Sequence, residues 1–333
     1  MLYIVTTTIN SPTEATRRYA KIAEARKDVK FVIVCDRKTP IKEYTETFEN
    51  NDSIYLYLPS QQEEDFPELS ETIGWNTIQR RNLGFAYVYK HSENHEKDFI
   101  ATVDDDNIPY STWLEPYKWA IDGETSTIAH IECTQKYGDP LSIFNFFREH
   151  NISHRGFLRK FKSNPDIDRT KIKSIDLDKI DVIAALWDGA PDIDAIDRYK
   201  IDNKYVSMSD EYRLLYYQLR NNYYKFNNSL TVFNSQNTFI RIKLLPYYMC
   251  IPHTGRMDDI WGAYLLQDIK PDINIIFSYP TVYQERNEHN VFKDIELETH
   301  GYVVDDFDIN LLSPQSLNCY DTYFETLIKY KKD

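Results

Sequence analysis

The sequence predicts an α/β fold with a mostly parallel central sheet and helices on both faces. Two observations carry this expectation. Apolar runs of strand length alternate with helix-period stretches through the first third of the chain. Three of those runs also end in polar clusters, as strands do when a sheet binds ligands beyond their carboxyl ends. Composition agrees: 42% of the 333 residues are apolar, enough for a sizeable core.

Taken in order, Leu2 to Thr8 reads as a buried strand, and Asn10-Ser11-Pro12-Thr13 supplies turn and cap chemistry before a helical pattern over about Glu14 to Arg26. Phe31 to Cys35 and Ile54 to Leu58 are the next strands. A helix carrying Ile78, Leu83, Ala86 and Val88 follows, and then a strand over Phe99 to Val103. Beyond about residue 125 the pattern loosens. Residues 160 to 181 are charged and poor in apolar side chains, which predicts an exposed insertion or mobile loop. A Tyr-rich helical stretch is expected over about 209 to 225, with strand-like segments near 229 to 242 and 273 to 279. There is no repeat and no Gly/Ser linker. The expected organisation is therefore a nucleotide-binding half, residues 1–125, fused to a second half, residues 126–333.

The net charge of −13 disfavours binding to nucleic acid, whose phosphates such a chain repels. The cysteines, Cys35, Cys133, Cys250 and Cys319, are scattered singly, a pattern of buried thiols rather than a zinc site or disulfide framework. No apolar run is long enough to span a bilayer and no secretory leader pattern is present, so a cytoplasmic protein is expected.

The strongest chemical signal is Asp104-Asp105-Asp106, directly after the strand Phe99 to Val103. Three adjacent carboxylates repel one another unless a cation or solvent relieves them. On an extended segment alternate residues share a face, so Asp104 and Asp106 can meet one Mn²⁺ or Mg²⁺ while Asp105 turns aside. An exposed acidic turn is the plainer alternative. A second acidic pair, Asp258-Asp259, precedes an apolar helical run, where carboxylates also serve as caps.

Around these residues the chain resembles the STELLO-type glycosyltransferases and, more distantly, the reversibly glycosylated polypeptides that include UDP-arabinopyranose mutase. The matching stretches run in order: Thr6 to Thr13, Val34 to Pro40, Arg81 to Gly84, Asp104 to Ile108, Arg155 to Phe157, Leu186 to Ala195, Asn234 to Thr238, Gly255 to Trp261 and Thr281 to Asn287. The resemblance implies a GT-A (nucleotide-diphospho-sugar transferase) fold and a metal-dependent glycosyltransferase. Such an enzyme moves sugar from a nucleotide sugar, foremost a UDP-sugar, to a glycan or other hydroxyl acceptor. STELLO-type proteins are membrane-anchored, and here this chain departs from them.

Carried over residue by residue, the resemblance implies that Thr6, Thr7 and Asp36 grip the nucleoside. Arg81 and Arg155 suit phosphate oxygens, with Asp104 and Asp105 beside them. Asp104 and Asp106 hold the metal, joined by His289, with His253 as a competing ligand. Asp259 is the first choice of base for an inverting transfer and Asp258 the second. Trp187, Asp188, Asn234, Gln236 and Asn237 line the sugar and acceptor cleft, and a homodimer is the base-rate expectation. Two alternatives accompany this reading: a UDP-sugar mutase that glycosylates itself on Arg155, and a non-catalytic sugar-binding scaffold.

Overall fold

The computed structural model describes residues 1–48, 51–122, 126–133, 135–141, 152–162, 172–175, 179–190, 192–200, 223–227, 229–285 and 290–332. Its strands are β1 (Leu2–Thr8), β2 (Val29–Cys35), β3 (Ile54–Tyr57), β4 (Phe99–Val103), β5 (Asn107–Pro109), β6 (Ser126–Glu132) and β7 (Tyr137–Gly138). They continue as β8 (Ile172–Ile175), β9 (Val182–Gly189), β10 (Tyr223–Asn227), β11 (Leu230–Thr231), β12 (Asn237–Arg241) and β13 (Ile275–Gln284). One large sheet runs in the order β3-β2-β1-β4-β12-β9-β13-β10-β6-β8, with β5 on the far end of β13, while β7 and β11 form a separate small pair.

The first four strands of this order are parallel to one another. The side chains of β1, β2 and β4 are largely buried on both faces, the signature of a sheet covered on both sides, while the edge strand β3 is half-buried apart from Tyr57. Tyr19, on the helix Glu14–Glu24, packs on Phe31 of β2 with ring centroids 6.1 Å apart. The helix Arg81–His91 covers the opposite face, which carries Val5 and Val34. A Cβ at Gly84 would stand 2.5 Å from Val34 and 2.7 Å from Val5, so only glycine permits this approach. The α/β class, with a mostly parallel sheet and helices on both faces, is as expected.

Direction changes in the second half of the sheet. β12 runs antiparallel between β4 and β9. The reversal has a consequence for the site: the segment entering β12, residues 234–237, lies beside the chain leaving β4, and Asp104 N–H donates to the Gln236 carbonyl. β13 runs parallel to β9 with a register shift between Ser278 and Val282, around Pro280, which cannot donate to the ladder. Its end pairs with β5, setting Gln284 opposite Asn107.

Two sequence expectations are corrected. The end of the expected Tyr-rich helix, Tyr223–Lys225, belongs to strand β10, in keeping with the strand preference of aromatic residues; residues 201–222 lie outside the described residues. Within the expected exposed insertion, Ile172–Ile175 forms β8 and pairs with β6 at the sheet edge. All four cysteines are buried and unpaired with one another. Among the described residues no helix is long and apolar enough to cross a membrane.

Candidate active site

The acidic triplet leaves β4 at the carboxyl end of the parallel strands. Asp105 turns back toward β1: its carboxylate accepts from the Thr8 hydroxyl and, at 3.0 Å, from the Asn10 amide. Its carbonyl accepts from the Thr13 hydroxyl at 2.6 Å. Thr13 also caps the helix Glu14–Glu24 by accepting from Thr16 N–H, so the helix start and the triplet are locked together. With Asp105 held aside, Asp104 and Asp106 both line one cleft of about 230 Å³. Asp105 parts from its neighbours as expected, but in a turn closed by Asn107 N–H on the Asp104 carbonyl rather than on an extended strand.

The same cleft is lined by Arg155, Asp192, Ser235, Gln236, Arg256, Asp258, Asp259 and Gln284. The helix Asp258–Ile269 thus presents its acidic first turn to the end of β4, across more than a hundred and fifty residues of sequence. Gly255 has φ +63° and sits against the Leu297 carbonyl, where a Cβ would come within 2.2 Å. Glycine therefore sets the tight turn that feeds this helix.

A continuous network of charges joins the two acidic groups. Arg81 is 1% exposed and pairs with Asp104, and it donates to the Ser235 carbonyl at 2.9 Å and hydroxyl at 2.8 Å. Ser235 passes the link on, its N–H and hydroxyl donating to Asp259 at 2.9 and 3.1 Å. Asp259 also takes both terminal nitrogens of Arg155, at 3.0 and 3.2 Å. Arg155 in turn pairs with Asp192 at 2.8 Å. Arg256 closes the far side, 2.9 Å from Glu298 and 3.7 Å from Asp192.

These partners sort the carboxylates. Burial by itself would raise Asp259, but Arg155 and the Ser235 donors outweigh it and hold the carboxyl below its ordinary range. Asp258, its neighbour, is pushed up to about 7 by burial and by the Asp259 charge. Its Oδ2 accepts from the Gln79 amide at 2.6 Å. Burial also raises Asp104, and the pair with Arg81 offsets only part of that. Burial would weaken Arg81, yet the Asp104 charge prevails and keeps it firmly protonated.

Other expected site residues fall elsewhere. Thr6 is fully buried, and the Thr7 hydroxyl donates to the Val34 carbonyl within the sheet. Asp36 is 1% exposed, and its carboxylate accepts from the N–H groups of Arg37, Asn76 and Thr77, so it clamps a turn. Asn237 spends its amide inside the core, donating to the Leu186 carbonyl and Thr281 and accepting from the Trp113 indole. Trp187 is buried edge-on to His154, and Asp188 accepts from the Tyr110 hydroxyl at 2.9 Å. Asn234 braces Asp192 and Gln236, of which Gln236 lines the cleft. His253 is exposed, and His289 lies outside the described residues. The sequence reading assigned no role to Gln79, Asp192, Ser235, Arg256 or Gln284. Asp192, Ser235, Arg256 and Gln284 stand inside the matching stretches, so only their partners were hidden, whereas Gln79 stands outside them.

Among the described residues no group of three or more His, Cys, Asp or Glu is arranged to hold a metal by itself. The donor set fits a lighter demand. Mn²⁺ or Mg²⁺ at a phosphate site commonly takes one or two carboxylates and completes its shell from phosphate and water, and Asp104 and Asp106 supply that pair at the cleft.

No family model matches the chain, and no curated protein matches it. Among solved structures, the crystal structure of S. aureus TarS 1-349 is similar over 98% of this chain and 80% of that one, at 11% identity and a TM-score of 0.38. At that score the functional reading has to come from the site's own residues.

Proposed function

We propose that this chain is a glycosyltransferase that moves a sugar from a nucleotide sugar, foremost a UDP-sugar, to the hydroxyl of a glycan or similar acceptor. One observation carries the reading: Asp104 and Asp106 meet Asp258 and Asp259 across a single cleft at the carboxyl end of the parallel strands. A cation-binding pair and a proton acceptor are the two things such a transfer needs side by side.

Asp104 and Asp106 would hold Mn²⁺ or Mg²⁺, which neutralises charge on the departing nucleoside diphosphate. Asp258 is the base. It takes the acceptor's hydroxyl proton as that oxygen bonds to the anomeric carbon and the bond to the diphosphate breaks, with inversion. Asp259 was the sequence's first choice, but its carboxylate accepts from Arg155 and Ser235 and is held acidic. A carboxyl near pH 7 is better matched to proton transfer. Asp259 instead holds Arg155, whose nitrogens are taken by Asp192, Asp259 and the Arg256 carbonyl, while Arg256 lines the same cleft. Self-glycosylation on Arg155 is disfavoured, since the guanidinium would first have to leave both Asp192 and Asp259.

Calorimetric titration with a panel of nucleotides and nucleotide sugars, with and without Mn²⁺, tests this reading. Metal-dependent binding of UDP and one UDP-sugar is expected. Folded protein that binds no nucleotide in either condition would overturn it and leave the non-catalytic scaffold.

A further inference from the structure

The turn at residues 74–80 lies between Asp36, at the end of β2, and Asp258, at the start of the helix Asp258–Ile269. Its backbone is unusual at two points: Gly74 has φ +76° and Asn76 φ +59°. A non-glycine residue held at positive φ costs free energy unless its surroundings impose it. The Asp36 carboxylate supplies that constraint by accepting from Asn76 N–H at 3.0 Å and Thr77 N–H at 3.2 Å. The Thr77 hydroxyl then donates to the Gln79 carbonyl oxygen Oε1. With Oε1 so occupied, the Gln79 NH₂ faces the other way, and it donates to Asp258 Oδ2 at 2.6 Å.

We infer that Gln79 is a positioning residue for Asp258, oriented by Thr77 on a turn that Asp36 clamps. The inference rests on the reading of Asp258 as the base. An amide has two ends, and without the Thr77 contact nothing in the turn would choose the donor end for Asp258. The bond ties down one carboxylate oxygen and orients the carboxyl at the cleft. It also favours the ionised form, which must exist before a proton can be taken. Two charged neighbours act on the same group. Asp259, on its own helix, discourages its charge, whereas Arg155 encourages it. Gln79 is a neutral side chain that donates to Asp258 directly.

The test uses Gln79→Met and Thr77→Val, both close to the original shapes, and follows the Asp258 carboxyl by carbon-13 NMR in the full chain without nucleotide. Its resonance is identified by loss in Asp258→Asn. The titration midpoint should rise by roughly one pH unit in Gln79→Met and by less in Thr77→Val. Unmoved midpoints in both folded variants would overturn the relay. The acidic limb of the pH–activity profile separates this from the base assignment. If the NMR midpoint moves and the limb does not, the relay stands and Asp258 is not the base. If both move together, both stand.

Discussion

Two acidic runs face each other across the cleft, and they are managed in different ways. At the end of β4 three carboxylates are separated by direction. Asp105 is pulled back to Thr8, Asn10 and Thr13, while Asp104 and Asp106 stay at the cleft. At the start of the helix Asp258–Ile269 two carboxylates are separated by partners. Asp259 is paired with Arg155 and held acidic, and Asp258, beside a single amide, is pushed up to about 7. The first arrangement sets two carboxylates at the cleft, with Asp104 paired to Arg81. The second sets two adjacent identical side chains more than a methylene's worth of chemistry apart. Neighbours, and not residue type, decide which carboxyl carries a proton.

The largest effect should come from breaking the partner-based arrangement. Arg155→Met strips Asp259 and Asp192 of their shared counter-charge and should cost about 3–5 kcal/mol of stability, measured by urea unfolding. A loss under about 1 kcal/mol would mean that the pair is not desolvated as described. Asp258→Asn should cut transfer by roughly 10²–10⁴-fold while the protein stays folded. Asp259→Asn, by contrast, should lose stability as well as activity. Equal stability in the two variants would erase the distinction between them.

Breaking the direction-based arrangement should act on binding. Asp106→Asn should weaken Mn²⁺-dependent nucleotide binding by at least roughly tenfold in calorimetry, and binding without metal should change little. Asp105→Asn keeps a side chain that can still accept from Thr8 and should cost at most about 1 kcal/mol by thermal unfolding.

The smallest effect sharpens the contrast through pH. Asp258 has a folded-state pKa near 7 against an unfolded value of 3.8, so the native state keeps a proton that the unfolded chain has already lost in that window. Its contribution to stability therefore falls as pH rises from about 4 to 7. Asp259 has the opposite sign: its contribution is present above the unfolded value and is lost as pH falls below it. Unfolding free energies measured from pH 5 to 8 should decline less steeply in Asp258→Asn than in the parent chain. An unchanged slope would remove Asp258 as the group responsible.

Much of this was legible in the residues. Short apolar runs such as Leu2 to Thr8 and Phe99 to Val103 read as buried strands, and the acidic triplet announced itself by following one directly. Alternation along an extended chain predicted that Asp105 would part from its neighbours, and it does so in a turn instead. The second half was harder to read. Tyr223 and Tyr224 looked helical in a Tyr-rich stretch, and the strand they form depends on pairing with β6, almost a hundred residues earlier.

What the sequence by itself determined is local: the strand periods, the place of the acidic runs, and the chemistry those side chains can offer. The roles of individual residues came only with the tertiary structure. Asp36 and Asn237, read as ligand-facing, are used up in a turn and in the core. The reversed strand β12 brings Ser235 from the far half to bridge Arg81 and Asp259. The physical reason is one of range. Periodicity and propensity act over a few residues, whereas a carboxyl's proton affinity depends on charges and donors a few ångströms away that may be a hundred residues distant along the chain.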